Sequence, residues 1–375
     1  MHPIGILIAW VGTAATVPPP DTTLVLRGGQ YLDVRAGVLR PNGAIVVRNG
    51  RIIEIQQPAA LKPPENAQTL DLSGRTILPG LIDAHVHLTL GGDPAANAEA
   101  TLRAGFTTVV DLGSAGGAGT RLRDQVARGT TPGPTVIAAG SWIGAKGGVC
   151  EFGGATVSGP EEARNRARGH LEAGADLLKV CLTGWPADAV AAPDSVELQP
   201  ASLDAVLEVA RAAKHAVYAH AIGEAGAILA AERGVRALAH TPIVDSAAAR
   251  RLKSTGVVVI STLATLTARP QADEIRRSFR LLRSIGVPIV LGTDAGVLPH
   301  GRNADELQAL VQAGLTPADA IRAATVAAAA LLGRKDLGEI AVGAAADFVI
   351  VTGDPLKDPG LLARPAQVLK AGREL

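Results

Sequence analysis

The feature that most constrains the fold is a regular alternation of short apolar runs and longer amphipathic segments between residues 79 and 337. Short apolar runs bounded by turn residues are typical of buried strands, whereas apolar residues at helical spacing predict helices. The predicted strands span residues 82–88, 107–112, 134–139, 177–182, 216–221, 237–241, 257–263 and 288–293. The predicted helices include residues 160–173, 201–214, 223–233 and 246–254.

Strands that alternate with helices in this number, over about 250 residues, are typical of a (β/α)8 TIM barrel. A doubly wound open sheet is the alternative, but no Gly-rich dinucleotide fingerprint follows the first strand. We therefore predict an α/β fold with a (β/α)8 barrel over residues 79–337.

Both ends of the chain carry short β-rich runs instead. Asn49 and Gly50 separate two of them, and Asn-Gly between apolar runs is a strong signal for a tight hairpin. Neither end is long enough to bury much apolar surface alone, so we predict that residues 21–78 and 338–375 pair into one small β-domain. The runs are residues 23–27, 44–48, 51–55, 347–352 and 366–370.

The charge balance excludes a strongly basic surface, because the chain has 36 Lys and Arg residues and 35 Asp and Glu residues. We therefore expect no nucleic-acid partner and no polybasic membrane patch. Cys150 and Cys181 are the only cysteines, which is too few for a disulfide framework. We expect two free thiols, with one bridge as the alternative.

The N-terminus is apolar over residues 4–17 and continues into three prolines. That run is shorter than the about 20 residues of a membrane-spanning helix, so we expect no stable membrane insertion. Two interpretations of residues 1–20 stay open. A signal peptide would make the protein exported or periplasmic, and a disordered extension would leave it cytoplasmic.

Ionisable residues collect at the carboxyl ends of the predicted strands, where barrel enzymes hold their catalytic groups. A His-x-His pair on a strand points both imidazoles to one face. Imidazoles and carboxylates are common zinc ligands, so the set predicts a metal site. Its members are His85, His87, Lys179, His220, His240 and Asp294.

Lys179 is the unusual member, because the run around it is otherwise apolar. Burial disfavours the ammonium form of lysine. A neutral amine reacts with CO2 to give a carbamate, an anionic donor long enough to bridge two metals. A lysine that reaches the rim or forms an ion pair is the alternative.

Several motifs resemble the amidohydrolase superfamily, and within it the imidazolonepropionase-like metallohydrolases that include Xaa-Pro and Xaa-Arg/Lys dipeptidases. The resemblance covers residues 23–375. It rests on LPGLIDAHVHL around residues 79–88, LLKV at 177–180, AHAIGEAG at 219–226, GVRALAH at 234–240, GTDAG at 292–296, PHGRNADEL at 299–307 and GAAADFVIVTGDPL at 343–356.

The resemblance implies a distorted (β/α)8 barrel beside a small β-sandwich formed by both chain ends. It implies two divalent metal ions, zinc in typical relatives. His85 and His87 would hold the more buried ion, and His220 and His240 the more exposed one. Lys179, as a carbamate derived from CO2, would bridge them, and Asp294 would bind the buried ion and shuttle protons.

We accordingly expect a metal-dependent hydrolase that cleaves an amide C–N bond of a dipeptide or an N-acyl amino acid. A hydroxide bridging the metals would attack the carbonyl, and Asp294 would pass the proton to the leaving amine. Two alternatives are a one-metal deaminase or cyclic-amide hydrolase, and a non-catalytic scaffold of the same fold. Carbamate and ester hydrolysis also stay open, as does a homo-oligomer.

The substrate pocket departs from the relatives, many of which carry Gly-Gly-His-Gly after the third strand. Here the run is Gly-Gly-Val-Cys at residues 147–150, and Ile222 replaces a second histidine after the fifth strand. Asp111 is expected to support the site rather than react. The candidate substrate contacts are His300, Arg302, Asn303 and Trp185, with Arg302 or Asn303 meeting a carboxylate.

Overall fold

The computed structural model describes residues 23–57, 67–154, 156–185 and 194–375. The predicted N-terminal signal or extension, residues 1–20, lies outside that range. Within the described part of the chain, no helix has both the length and the apolar character needed to cross a membrane.

Strands open and close the described chain, and its middle alternates strands with helices. The opening strands are β1 (Thr23–Arg27), β2 (Gln30–Asp33), β3 (Val38–Pro41), β4 (Ala44–Arg48), β5 (Arg51–Gln56), β6 (Gln68–Asp71) and β7 (Arg75–Pro79). The middle strands are β8 (Leu81–Val86), β9 (Phe106–Asp111), β10 (Thr135–Ala138), β11 (Trp142–Ala145), β12 (Thr156–Val157), β13 (Leu178–Cys181), β14 (Val217–His220), β15 (Ala237–Ala239), β16 (Val258–Ile260) and β17 (Ile289–Val290). The helices are α1 (Pro94–Arg103), α2 (Ala118–Ala127), α3 (Pro160–Glu172), α4 (Pro200–Ala212), α5 (Glu224–Arg233), α6 (Ser246–Thr255), α7 (Leu263–Leu266), α8 (Ala272–Ile285), α9 (Asp305–Gln312), α10 (Pro317–Ala323) and α11 (Val326–Leu331). The closing strands are β18 (Phe348–Thr352), β19 (Gln367–Lys370) and β20 (Arg373–Glu374).

The two chain ends meet in two sheets, one in the order β5-β4-β1-β6 and one in the order β20-β19-β18-β7-β2-β3. β18 pairs antiparallel with β7, so the C-terminal strands complete a sheet that the N-terminal strands begin. Leu26 and Ile45 of the first sheet share one hydrophobic cluster with Ile77 and Phe348 of the second. Full burial of one such side chain stabilises the folded state by about 1.5–3 kcal/mol. Neither end could bury these side chains alone.

The predicted hairpin is confirmed at Asn49 and Gly50. β4 and β5 pair antiparallel with Arg48 opposite Arg51, which leaves a two-residue turn between the strands. Both turn residues lie in the left-handed region, with φ of 50° at Asn49 and 72° at Gly50. A type I′ turn needs that conformation at both positions, and Asn followed by Gly adopts it most easily.

The middle strands form parallel sheets in the orders β10-β9-β8 and β12-β11-β13-β14-β15-β16-β17. Each of the predicted strand runs overlaps an observed strand. The apolar residues of β13 to β16 are buried, as expected for strands covered by helices.

The third predicted strand, residues 134–139, corresponds to β10, but in the structure the chain bends after it and continues as a second strand, β11. β10 pairs with β9, whereas β11 pairs with β13. Gly140 lies between β10 and β11 with φ of 76°, a conformation that favours glycine. The bend lets one stretch of chain contact the second strand with its first half and the fourth strand with its second half.

Hydrogen bonds also join the first and last strands of the middle region. The amide of Ala84 donates to the carbonyl of Leu291 at 3.0 Å, and that of Asp294 donates to His85 at 2.8 Å. A parallel bridge connects Val86 with Ala295 beyond these bonds. The carboxyl end of β8 therefore lies beside the segment that follows β17.

Candidate active site

One cavity of about 280 Å³ brings together all six residues that the sequence predicts as metal ligands. His85 lies in β8, Lys179 in β13, and His220 ends β14, while His240 and Asp294 follow β15 and β17. Each of these side chains is buried. The six residues therefore come from five different strands, and all but Lys179, the second residue of β13, lie at or beyond the carboxyl end of their strand.

Three of them form what we call the donor triangle: His85, His87 and Asp294. Their Nε2, Nε2 and Oδ1 atoms lie 3.2 to 3.3 Å from one another. Ligands bound to one tetrahedral ion at about 2.0–2.1 Å would lie about 3.3 Å apart. The spacing of the donor triangle is therefore compatible with a divalent metal ion.

The protonation state of the donor triangle also suits a metal. The Nδ1 of His87 donates to the carbonyl of Gly113 at 3.0 Å, which leaves Nε2 with its lone pair toward the cavity. Burial holds the pKa of His85 well below its usual value, and Lys179 lowers it further. The imidazole of His85 is therefore neutral at pH 7, as a metal ligand must be.

The other three residues form the basic trio: Lys179, His220 and His240. The rings of His220 and His240 lie 4.6 Å apart between centroids. The Nδ1 of His240 contacts the Thr262 hydroxyl at 2.8 Å, and burial lowers the pKa of His220 to about 4. Burial also lowers the pKa of Lys179 to about 7, against the opposing effect of Asp294.

Backbone strain marks two of these six residues. His240 has a φ of 85° and Asp294 a φ of 59°, in the left-handed region that residues other than glycine rarely adopt. Such conformations cost about 1–3 kcal/mol each and persist where the surroundings fix them. The amide of His240 donates to Ile260 at 3.0 Å, so the neighbouring strand holds this conformation in place.

Asp83 supports the donor triangle and was missed by the sequence reasoning. Its carboxylate accepts hydrogen bonds from the Thr293 amide at 3.0 Å, the Thr293 hydroxyl at 2.7 Å and the Asn303 amide at 2.8 Å. It also accepts from the amide of His85 at 3.1 Å. The signal was present, because Asp83 is a charged residue inside a fully buried strand.

Glu306 supports the basic trio in a similar way and was also missed. It is fully buried and accepts from the Ser261 hydroxyl at 2.5 Å and from the amides of Leu263 at 2.8 Å and Ala264 at 2.6 Å. These donors flank Thr262, which contacts His240. Burial raises the pKa of the Glu306 carboxyl to about 8.

Asp111 has the supporting role that the sequence suggested. Its carboxylate accepts from the amides of Leu88 at 3.0 Å and Gly113 at 3.1 Å. The carbonyl of Gly113 in turn accepts from His87. Asp111 therefore shapes the loop that orients one imidazole of the donor triangle.

Of the four candidate substrate contacts, only Trp185 lines the cavity. His300 is tied to the Thr101 hydroxyl at 3.2 Å and to the His87 carbonyl at 3.3 Å. Arg302 pairs with Asp305 at 2.6 Å, and Asn303 is fully buried against Asp83. The structure therefore places His300, Arg302 and Asn303 off the wall of this cavity.

The expectation of two free thiols is wrong, because Cys150 and Cys181 form a disulfide. The bond joins the loop after β11 to the last residue of β13, and Trp142 packs in the same cluster. The two cysteines are 31 residues apart in the sequence, and this spacing does not indicate that their Cα atoms lie 6.3 Å apart. The bent third strand brings them together, and Cys150 lines the cavity.

Comparison with known proteins agrees with the resemblance seen in the motifs. A protein named ochratoxinase from Aspergillus niger is 26% identical over 410 aligned residues, which cover 89% of this chain and 84% of that protein. An imidazolonepropionase from Symbiobacterium thermophilum is 27% identical, covering 94% of this chain and 92% of that protein. The solved structure of a Xaa-Pro dipeptidase with bound methionine in its active site is 27% identical, with a TM-score of 0.88 over 94% of this chain and 100% of that one.

A model of the amidohydrolase family matches residues 76–375, which include every residue of the donor triangle and the basic trio. The predicted resemblance is confirmed at this level, and so is the assignment as an enzyme. The chain belongs to the amidohydrolase family and is a hydrolase that acts on carbon–nitrogen bonds.

Proposed function

We propose that this enzyme hydrolyses the amide bond of a dipeptide or an N-acyl amino acid with the help of two divalent metal ions, of which zinc suits the ligands best. The observation that carries the proposal is the donor triangle, whose three donor atoms are spaced for one ion. The name of the solved Xaa-Pro dipeptidase favours a substrate with an amino-acid leaving group.

The donor triangle would hold one ion, and His220 and His240 would hold the second. Lys179 would bridge them as a carbamate, since a buried amine with a pKa of about 7 is neutral often enough to react with CO2. Bound there, divalent ions acidify water and polarise a carbonyl.

Asp294 is the residue that moves the proton. Its carboxylate accepts a proton from the attacking water and returns it to the nitrogen of the leaving amine when the C–N bond breaks. The amide of Asp294 donates to the carbonyl of His85 in β8, which holds the backbone that carries this carboxylate. Such acid–base help contributes about 10²–10⁴-fold to the rate.

The proposal includes the finer architecture. The bent third strand and the bonds between β8 and the segment after β17 support a distorted (β/α)8 barrel over residues 79–337. The shared hydrophobic cluster of the two end sheets supports a β-sandwich of residues 21–78 and 338–375.

A one-metal deaminase or cyclic-amide hydrolase is the second candidate. Among the described residues, the donor triangle is the one group of three His, Cys, Asp or Glu side chains whose ligand atoms all lie within 4.8 Å of one another. A single ion would then occupy the donor triangle, and Lys179 would stay unmodified. The imidazolonepropionase relative is named for a reaction of this second kind.

Metal content and a substrate panel separate the two candidates. The protein is purified without chelator and with bicarbonate, and metal per chain is measured by plasma mass spectrometry. About two ions per chain, together with cleavage of N-acyl amino acids or dipeptides that a chelator abolishes, support the proposal. About one ion per chain with turnover of cyclic amides or amines, and none of acyclic amides, overturns it.

A further inference from the structure

The cavity has two indole walls on different sides of the ligands. The ring of Trp142 lies 5.3 Å from that of His87, measured between centroids. The ring of Trp185 lies 5.6 Å from His220 and 5.0 Å from His240. A substrate held over the ligands therefore has one part near Trp142, beside the donor triangle, and another near Trp185, beside the basic trio.

The Trp142 side is apolar. Phe152 packs on Trp142 with centroids 4.9 Å apart, and Val149 lines the same wall. Phe152 is nevertheless 67% exposed, although it lines the cavity. An apolar group of a bound substrate would cover that ring and remove its surface from water.

The Trp185 side carries a cation, Arg269, for which the described residues supply no anionic partner. The guanidinium carbon of Arg269 lies 5.4 Å from the centre of the Trp185 ring. Its Nε is buried and has no hydrogen-bond partner within the described part of the chain. Leaving a buried donor unsatisfied is costly, so this nitrogen is available to an oxygen acceptor of a bound substrate.

Acidic residues are almost absent from the cavity wall. Of the described residues that line it, Asp294 is the only acid, and it belongs to the donor triangle. Among the described lining residues, a substrate with a free ammonium group would find no carboxylate other than that of Asp294. A substrate with a free carboxylate would meet Arg269, whose planar fork binds two oxygens at once.

We propose that Arg269, stacked on Trp185, binds the carboxylate of the leaving amino acid, and that the substrates are N-acyl amino acids with an apolar acyl group on Trp142 and Phe152. This inference rests on the proposed amide hydrolysis and narrows it, because unblocked dipeptides become poor substrates. Arg269 takes the role for which the sequence had suggested Arg302 or Asn303.

The test compares matched substrates and matched variants. N-benzoyl-L-alanine and N-benzoyl-L-alaninamide differ only in the carboxylate, and release of benzoate is measured for both. In the Arg269→Met variant, kcat/KM for the acid falls about 10- to 100-fold while that for the amide is unchanged. Arg269→Lys keeps part of the difference. Arg277→Met, at an exposed arginine of α8, behaves like the parent enzyme.

The apolar side has its own matched pair. Phe152 and Val342 are similarly exposed, at 67% and 66%, but Val342 does not line the cavity. Phe152→Ala reduces the preference for N-benzoyl-L-alanine over N-acetyl-L-alanine about 5- to 10-fold, as expected for a lost apolar contact. Val342→Ala leaves the preference unchanged.

Binding distinguishes failure of this inference from failure of the proposed function. N-benzoyl-L-alanine is titrated against the metal-loaded enzyme, with tryptophan fluorescence as the readout. If no amide is cleaved but Arg269→Met still weakens this binding at least about tenfold, the proposed reaction is wrong and the carboxylate site stands. If amides are cleaved and Arg269→Met affects acid and amide equally, or neither, the carboxylate site is wrong. Equal turnover of L-phenylalanyl-L-alanine and N-benzoyl-L-alanine also contradicts it.

Discussion

The donor triangle and the basic trio lie in the same cavity, but the chain prepares them differently. The donor triangle already contains an anion, Asp294, and its donor atoms lie 3.2 to 3.3 Å apart. The basic trio contains only nitrogens, and burial disfavours positive charge on each of them. The folded chain supplies the anion of the donor triangle, whereas the basic trio would gain one only through the proposed carbamate on Lys179.

The supporting residues show the same difference. Asp83 ties the strand of His85 directly to Thr293, the residue before Asp294. The basic trio is held through an intermediate, since Glu306 contacts the neighbours of Thr262 and Thr262 contacts His240. The comparison indicates that metal affinity should be robust at the donor triangle and sensitive to change at the basic trio.

The largest effect is expected from Asp294→Asn, which removes the anion of the donor triangle. Loss of the proton acceptor should lower kcat/KM for an amide by about 10²–10⁴-fold. Steady-state kinetics with metal content measured on the same sample checks this. Asp273→Asn, at an exposed carboxylate that pairs with Arg276, is the control and should have no effect. Near-native turnover of Asp294→Asn with its metal retained would contradict the assigned role.

Lys179→Met tests the basic trio and the proposed carbamate. Without the amine no carbamate forms, so bound metal should fall from about two ions to about one per chain, with the remaining ion in the donor triangle. Lys357→Met changes a lysine whose side chain is 86% exposed and should keep the full metal content. If Lys179→Met loses both ions or neither, the proposed difference between the donor triangle and the basic trio is wrong.

Thr262→Val removes the hydroxyl that contacts His240. Changing such an outer partner of a ligand typically weakens metal binding about 10- to 100-fold, and only the second ion should be affected. Thr262→Ser keeps the hydroxyl and should restore most of the affinity. Metal titration followed by calorimetry gives both values. Equal weakening of the two ions would show that the donor triangle and the basic trio are not independent.

The last prediction concerns the pH dependence of stability, and not catalysis or metal binding. The pKa of Glu306 is raised from 4.5 to about 8 by burial, so the folded protein keeps this carboxyl protonated when the unfolded chain has lost the proton. Its contribution is therefore complete below pH 4.5 and is lost as the pH rises to about 8. The free energy of unfolding should fall by about 1.4 kcal/mol per pH unit within that window.

Glu306→Gln should remove that slope, although the variant is less stable overall because the amide cannot satisfy all three donors. Urea unfolding between pH 5 and pH 8.5 measures both quantities. A slope that is the same in the variant and the parent would show that Glu306 does not carry the pH dependence.

Much of the fold and of the site could be read from the sequence because both depend on local patterns. The apolar runs of β13 and β14, and the ionisable residue that each of them carries, can be recognised without knowledge of distant contacts. The hairpin at Asn49 and Gly50 is local in the same sense, because the turn selects residues that accept a positive φ.

The features that the sequence did not reveal depend on long-range contacts. The bond between Cys150 and Cys181 requires the bend at Gly140, which no periodicity shows. Arg269 and Arg302 both lie in irregular segments, but Arg302 pairs with Asp305 whereas Arg269 lines the cavity. Which of two similar side chains faces a substrate is decided by packing, and a single sequence does not record it.

Because of the disulfide, the structure of the cavity wall depends on whether the compartment is oxidising or reducing. Disulfides persist in oxidising compartments and are rare where glutathione and thioredoxin keep thiols reduced. The Cys150–Cys181 bond anchors the loop that presents Val149 and Phe152 to the cavity. The same chain made in a reducing cytosol would keep its ligands but lose the covalent anchor of its apolar wall. The place of synthesis therefore becomes a variable in any measurement of which substrates this enzyme accepts.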